Sequence, residues 1–192
     1  MRVIAGTARG TRLVPVPAGV RPVSDRAREG LFSSLGGVVE SARVLDLYAG
    51  TGALGIEALS RGAAEAVFVD RSPLALRATR ENLARTSLEA RATVQRSDVR
   101  KFLQRQPVPP EAFDLVFLDP PYGTGEAELD PVLALLDEEL LLREGFTVVL
   151  SRGTRSSNSV IPLHWLVARR LSYGDSVVTL FRSRDLPRDM EV

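Results

Sequence analysis

From residue 42 onward, short apolar runs alternate with longer amphipathic segments. The apolar runs predict strands over residues 42–48, 66–70, 92–98, 113–119 and 146–151. The amphipathic segments between them predict helices over residues 52–62, 73–86, 99–106 and 130–141. The runs are almost continuously apolar, as expected for strands that helices cover on both faces. This pattern predicts a doubly wound α/β fold with a mainly parallel sheet.

The two ends of the chain follow other patterns. Apolar residues on both sides of the turn-rich residues 6–10 predict a small N-terminal β-hairpin, and the prolines that follow predict a linker. Ser24 has the residue type of a helix N-cap. We therefore expect a helix that begins after Ser24 and ends at the glycines at 36 and 37. Residues 165–182 predict two more strands, a hairpin that brings the sheet to seven strands. We therefore divide the chain into an N-terminal hairpin with its linker (1–22), a main α/β domain (23–182) and a flexible tail (183–192).

Composition narrows the class of protein. A chain of 192 residues that is 44% hydrophobic and 26% charged predicts one folded domain rather than a disordered chain. No apolar run approaches the roughly 18 residues that a membrane span needs, and the first ten residues lack the apolar segment of a secretory signal. The absence of cysteine excludes disulfides, thiolate metal sites and a cysteine nucleophile. We expect a soluble cytoplasmic protein.

Charge is distributed unevenly along the chain. Residues 1–30 hold six arginines against two acids, a net charge of +4, whereas the whole chain has a net charge of only +1. A basic end on an otherwise acidic body favours a polyanionic partner, although a solvated charged surface is the alternative. The arginines are Arg2, Arg9, Arg12, Arg21, Arg26 and Arg28.

A glycine-rich turn follows the first core strand. Gly50, Gly52 and Gly55 match the pattern G-x-G-x-x-G of dinucleotide-binding turns, which is a weak signal alone. Asp46 lies four residues before the first glycine, where a carboxylate would repel a pyrophosphate but attract an ammonium or sulfonium group. The turn therefore favours a cationic cofactor. The structural alternative is a tight strand-to-helix turn in which Asp46 caps backbone amides.

Two more acids follow the second and third strands. Asp70 is placed to accept both hydroxyls of a ribose, or to cap the helix that starts near Pro73. Asp98 is a candidate acceptor for the amino group of adenine, or the N-cap of the next helix. Asp70 therefore supports a nucleoside-type cofactor without choosing between NAD and adenosylmethionine.

The motif Asp119-Pro120-Pro121-Tyr122 ends the strand that we expect beside the first one. Two consecutive prolines fix φ and remove two N–H donors, so the carbonyls and the Asp119 carboxylate are held in fixed directions. Such an acceptor-rich cleft suits the exocyclic amino group of a planar base on which Tyr122 stacks. A proline turn after a buried strand is the alternative.

Together, the glycine turn, Asp70 and the motif at 119–122 resemble class I S-adenosylmethionine-dependent amino-methyltransferases. Residues 2–13, 21–32 and 173–175 are similar to the RsmD type within this class, the bacterial small-subunit ribosomal RNA guanine-N2 methyltransferases. The resemblance covers nearly the whole chain. It departs from the family pattern at Val23, where Thr is usual, and at Ser151, where an acidic residue is common.

The resemblance implies a Rossmann-like methyltransferase fold and direct in-line transfer of the sulfonium methyl of S-adenosylmethionine to guanine N2 of 16S ribosomal RNA, within a 30S subunit or an assembly intermediate. It implies catalytic roles for Asp119, Pro120, Pro121 and Tyr122. The cofactor-binding residues that it implies are Asp46, Tyr48, Gly50, Thr51, Gly52, Gly55, Asp70, Arg71, Asp98 and Val99.

We expect the six N-terminal arginines to contact RNA phosphates, and we expect a monomer that needs neither a metal nor a membrane. Three alternatives remain open at this point. They are a DNA adenine or cytosine amino-methyltransferase, an oxidoreductase and a non-enzymatic ribosome-assembly factor that binds RNA.

Overall fold

The computed structural model describes residues 1–15, 24–105, 112–121, 123–138, 141–154 and 160–183. Arg21, Tyr122, most of the predicted linker and the tail from residue 184 lie outside the described residues. Within the described part of the chain, none of the helices combines the length and the apolar character that crossing a membrane requires.

The described residues form helices and strands in the predicted alternation. The helices are α1 (Asp25–Leu35), α2 (Ala53–Ser60), α3 (Pro73–Thr86), α4 (Val99–Gln104) and α5 (Glu126–Glu138), with short 3-10 turns at Gly36–Val39 and Glu89–Arg91. The strands are β1 (Arg43–Leu47), β2 (Glu65–Asp70), β3 (Ala92–Arg96), β4 (Phe113–Leu118), β5 (Leu142–Gly153), β6 (Trp165–Tyr173) and β7 (Ser176–Ser183).

All seven strands join one sheet in the order β3-β2-β1-β4-β5-β7-β6. Strands β1 to β5 pair in parallel, whereas β7 is antiparallel to both β5 and β6. The structure thus confirms the doubly wound, mainly parallel seven-stranded sheet with its C-terminal hairpin. The strand order reverses between β1 and β4, and ligands of such sheets bind at the carboxyl ends of the strands at this point.

Helices cover both faces of the sheet. One apolar cluster joins the sheet to α1, α2 and α3 through residues such as Phe32, Ile56 and Leu83. A second cluster joins the opposite face to α4 and α5 through residues such as Leu103 and Leu133. Burial on both faces explains why the parallel strands are almost continuously apolar in sequence.

The predicted N-terminal hairpin is present as a short antiparallel pairing, with a bridge between Arg2 and Arg12. Backbone hydrogen bonds from Val3 N–H to the Thr11 carbonyl at 3.0 Å and from Leu13 N–H to the Met1 carbonyl at 3.2 Å flank the bridge. The segment is held by the body of the protein, because the fully buried Glu57 carboxylate of α2 accepts hydrogen bonds from the backbone of Ile4 (2.8 Å) and Ala5 (3.1 Å). A buried carboxylate that accepts two amide bonds is a specific anchor. Residues 1–14 therefore pack as part of the same core as the sheet.

Helix α5 begins four residues before its predicted start. The sequence prediction placed the start at residue 130, one residue before Pro131. In the structure the helical bonding already begins when Leu129 N–H donates to the carbonyl of Gly125 at 3.1 Å. Leu129 is completely buried, so packing extends the helix past the proline.

Candidate active site

Three carboxylates meet at the carboxyl ends of the central strands. Asp46 pairs in register with Phe117 of β4, and Asp119 follows two residues later. Asp70 ends the neighbouring β2. Burial raises the pKa of Asp46 well above its ordinary value, and repulsion from Asp119 and Asp70 raises it further. The site concentrates negative charge that a cationic ligand would stabilise.

Asp46 also caps the glycine turn. Its side chain is 2% exposed, and Oδ2 accepts a hydrogen bond from the Gly55 N–H at 3.0 Å, in the first turn of α2. This bond lowers the pKa of Asp46, but burial has the larger effect. The capping role that we considered as an alternative is thus present, and it uses one of the two carboxylate oxygens.

The glycine turn has the backbone shape that its glycines permit. Gly50 and Gly52 have φ values of 58° and 75°, in the left-handed region that side chains disfavour. At Gly55 a side chain is excluded by lack of space, because a Cβ there would lie 2.4 Å from the ring of Phe68. The turn therefore presents backbone rather than side chains at the mouth of the site.

Two residues of α3 that the sequence analysis missed hold this turn. The Thr79 hydroxyl donates to the Gly50 carbonyl at 2.9 Å, and the Asn82 Nδ2 donates to the Thr51 carbonyl, also at 2.9 Å. Both side chains are fully buried on the inward face of α3. The sequence signal for them was available: polar residues recur at helical spacing, with Thr86, among the apolar residues of the inward face of α3.

Asp70 ties the glycine turn to β2. Its Oδ2 accepts from Gly50 N–H at 2.9 Å, and its Oδ1 accepts from Ser72 N–H at 2.8 Å. The alternative in which Asp70 caps α3 is wrong, because Ser72 is the N-cap and accepts from Ala75 N–H. Each carboxylate oxygen of Asp70 keeps a second lone pair with which it can accept a hydroxyl group.

Asp98, Tyr48 and Arg71 lie close together on the other side of the site. Burial raises the pKa of Tyr48 to about 12, and the charge of Asp98 adds to the shift while Arg71 opposes it. Tyr48 has a φ of 61°, unusual for a residue with a side chain. Asp98 is the N-cap of α4, where Oδ1 accepts from Lys101 N–H at 3.1 Å. Val99, the first residue of α4, is buried.

Asp119 faces a cavity on the β5 side of the switch point. Burial raises the pKa of Asp119 to about 6, and a hydrogen bond from the Ser151 hydroxyl opposes this rise. Tyr122 lies outside the described residues. The described residues that line the cavity are Asp119, Pro120, Pro121, Gly123, Thr124, Ser151, Arg152, Gly153 and Ser176.

The expectation that Arg28 contacts RNA is wrong. Its side chain is completely buried on the inward face of α1, where it forms an ion pair with Asp25 at 2.7 Å and donates to the backbone carbonyl of Arg2. The helical spacing of Arg28 with Leu31 and Phe32 turns it toward the core. The other described arginines of this group, Arg2, Arg9, Arg12 and Arg26, are exposed.

The exposed arginines do not form one cluster. The turn that carries Arg9 packs on the end of α2, where Ala8 N–H donates to the Ser60 Oγ at 3.0 Å. That end of α2 lies at the edge where the strands begin, opposite Asp119. Arg12 is exposed, and its backbone carbonyl accepts from the Arg85 side chain at 3.4 Å, in the last turn of α3.

Comparisons with known proteins place the chain in a family. The profile of the family described as conserved hypothetical protein 95 matches residues 1–182. YlbH of Bacillus subtilis is 35% identical over 96% of this chain and 100% of that protein. "Ribosomal RNA small subunit methyltransferase D" of Escherichia coli is 33% identical over 95% of this chain and 89% of that protein.

Solved structures agree with the sequence relatives. The structure of yhhF from Escherichia coli, 33% identical, superposes with a TM-score of 0.84 over 97% of this chain and 99% of that chain. The seven-stranded sheet fits the Rossmann-like methyltransferase fold. A family match over nearly the whole chain and relatives above 30% identity lead to one conclusion: the chain belongs to the RsmD family.

Proposed function

We propose that this protein is an S-adenosylmethionine-dependent methyltransferase that methylates the exocyclic N2 amino group of a guanine in 16S ribosomal RNA. One observation carries the proposal: Asp119, an amino-group acceptor, lies beside the buried Asp46 and the glycine turn, which suit a cationic cofactor. The name of the Escherichia coli relative supports ribosomal RNA of the small subunit as the substrate.

The residues on the β1–β2 side fit S-adenosylmethionine. Asp46 gives a buried negative charge for the ammonium and sulfonium groups, and the glycine turn admits the methionine part without side-chain interference. Asp70 is placed for the ribose hydroxyls, and Asp98 for the adenine amino group. When bound, the cofactor supplies a methyl group that its positively charged sulfur already activates.

The residues on the β4–β5 side suit the target base. The Asp119 carboxylate and the Pro120 carbonyl accept the two amino hydrogens, which favours a pyramidal nitrogen whose lone pair points at the methyl group. Arg152 lines the same cavity with hydrogen-bond donors that suit the polar edges of a base. Holding both reactants in line contributes up to roughly 7–11 kcal/mol of barrier reduction.

A base can reach this cavity only when it is unstacked, so the target guanine lies in a loop or is extruded from a helix. The exposed Arg2, Arg9, Arg12 and Arg26 then contact phosphates of the RNA. We propose that a monomer acts on 16S RNA within a 30S subunit or an assembly intermediate, without a metal.

The test is to incubate the protein with labelled S-adenosylmethionine and, separately, naked 16S RNA, immature 30S subunits, mature 30S subunits and DNA. The RNA is then digested and its nucleosides are identified by mass spectrometry. We expect N2-methylguanosine at one position of 16S RNA. N6-methyladenosine, N4-methylcytosine or methylated DNA would contradict the substrate. Unmodified RNA together with NAD binding would contradict the reaction, and RNA binding without methyl transfer would favour an assembly factor.

A further inference from the structure

Ser151 is the direct neighbour of Asp119 across the sheet. Strands β4 and β5 pair in parallel with Leu118 opposite Leu150, so Asp119 and Ser151 are the next residues of the two strands. Side chains of adjacent positions in parallel strands point to the same face. Ser151 is 9% exposed, and it pairs on its other side with Val178 of β7, an apolar residue.

The Ser151 hydroxyl and the Asp119 carboxylate interact at the wall of the cavity. The hydroxyl donates a hydrogen bond to the carboxylate, and this bond lowers the pKa of Asp119 while burial raises it. A hydrogen bond to one oxygen fixes the plane of a carboxyl group and leaves the other oxygen to accept from a ligand. Ser151 is therefore placed to set both the direction and the charge of Asp119.

Charged groups on the surrounding elements complete the electrostatic setting of Asp119. Asp46 of β1 lies close enough for mutual repulsion, and Arg152 of β5 lines the same cavity. Neither is a neutral donor that could hold the carboxyl plane as Ser151 does. Asp70, which ends β2, is the third acid of this group, because its charge also repels Asp46.

We propose that Ser151 is a positioning residue that orients the Asp119 carboxylate toward the target amino group and keeps it ionised as an acceptor. The inference rests on the proposed function, because it assigns Ser151 a role in the same site. A protonated Asp119 would present an O–H donor to an amino group that needs an acceptor. Loss of the Ser151 hydroxyl therefore acts in two ways: Asp119 takes up a proton at a higher pH, and its plane is less fixed.

Two variants of Ser151 and one control separate these effects. Ser151→Ala removes the hydroxyl, whereas Ser151→Thr keeps it at the same place on the strand. Ser176→Ala removes a hydroxyl from the same cavity without touching the Asp119 bond. The carboxyl resonance of Asp119, assigned with Asp119→Asn, reports its titration by carbon-13 NMR even when no methyl group is transferred.

We expect Ser151→Ala to raise the titration midpoint of Asp119 by about one pH unit and to shift the acid limb of methyl transfer equally. At pH 8.5, where Asp119 is ionised in both proteins, we expect a remaining loss of roughly tenfold from misorientation. Ser151→Thr restores the midpoint and most of the rate. Ser176→Ala leaves the midpoint unchanged, whatever it does to the rate.

An unchanged Asp119 midpoint in Ser151→Ala would overturn the inference, and so would a Ser151→Thr protein that behaves like Ser151→Ala. The proposed function fails in a different way: the wild-type protein then transfers no methyl group to RNA, while the NMR midpoints still report whether Ser151 acts on Asp119.

Discussion

Asp46 and Asp119 lie at the carboxyl ends of neighbouring parallel strands, and their charges repel each other. Asp46 pairs with Phe117, so Asp119 lies on the neighbouring strand, two residues beyond the partner of Asp46. Burial accounts for most of the raised pKa of Asp46, and the charge of Asp119 adds to it. Two like charges held together in a buried site cost stability unless a cation is present. The buried Asp46 carboxylate makes this end of the sheet suitable for a positively charged cofactor.

Asp46→Asn is expected to stabilise the cofactor-free protein at pH 7.5 by roughly 1–2 kcal/mol and to weaken cofactor binding at least tenfold. When folding raises the pKa of a carboxyl group, the folded protein loses stability as the pH rises from the pKa of the unfolded state to that of the folded state. The gain should therefore shrink as the pH falls toward 4. Thermal unfolding against pH and titration calorimetry with S-adenosylmethionine measure the two effects.

The control for Asp46→Asn is Asp114→Asn. Asp114 lies near the start of β4, whereas Asp46 lies near the end of β1. Asp114 accepts from Arg43 N–H at 2.7 Å and pairs with Arg143. Its replacement should lower stability or leave it unchanged, and cofactor affinity should not move. An Asp46→Asn protein that unfolds at a lower temperature and binds the cofactor normally would contradict the electrostatic role of Asp46.

Thr79→Val is expected to weaken cofactor binding by roughly threefold to tenfold, because it removes the hydroxyl that holds the Gly50 carbonyl. Thr86→Val is the matched control on the same helix face. Its hydroxyl bonds only to carbonyls of its own helix, those of Asn82 and Leu83. Both variants should lose about 1 kcal/mol of stability. Equal cofactor affinity in the two proteins would show that Thr79 does not shape the turn.

Glu57→Ala is expected to reduce the free energy of unfolding by roughly 3 kcal/mol, since it leaves the amides of Ile4 and Ala5 without their acceptor. The N-terminal segment should also become sensitive to limited proteolysis. Glu81→Ala removes an exposed ion pair with Arg85 and should cost less than 1 kcal/mol. Similar losses in the two variants, measured by urea unfolding, would argue against the anchor.

Replacing Arg9 and Arg12 together with Gln is expected to weaken RNA binding and to flatten its dependence on salt, while cofactor affinity stays the same. Each lost phosphate contact lowers the slope of log affinity against log salt by about one. Arg143→Gln, at the far edge of β5, is the control. Unchanged salt slopes in the double variant would remove these arginines from the RNA surface.

Much of the fold could be predicted from the sequence because periodicity decides it. The apolar runs of β1 and β4 cannot be exposed, so they become the central strands, and parallel pairing brings Asp46 and Asp119 to one edge. Asp70 could be placed in the same way at the end of β2. These inferences need only the direction of each strand.

The errors concern side chains whose partners are distant in sequence. Arg28 counted as a surface charge because composition carries no information on which way a helix faces. Thr79 and Asn82 were missed because their partners lie 29 and 31 residues away in the glycine turn. The anchor of the N-terminal segment was missed because Glu57 lies 53 residues from Ile4.

The most direct test measures S-adenosylmethionine affinity and methyl transfer to 16S RNA on one preparation of the Asp119→Ala protein. This variant separates cofactor binding from the transfer reaction. Asp119 lines the cavity on the β5 side of the switch point, and in the proposed function it accepts the target amino group. Its loss should therefore remove that acceptor and leave the proposed cofactor residues in place. We predict a cofactor Kd within about threefold of the wild type and a loss of methyl transfer of roughly 100-fold or more. Methyl transfer at the wild-type rate would contradict the assignment of Asp119 to the target amino group.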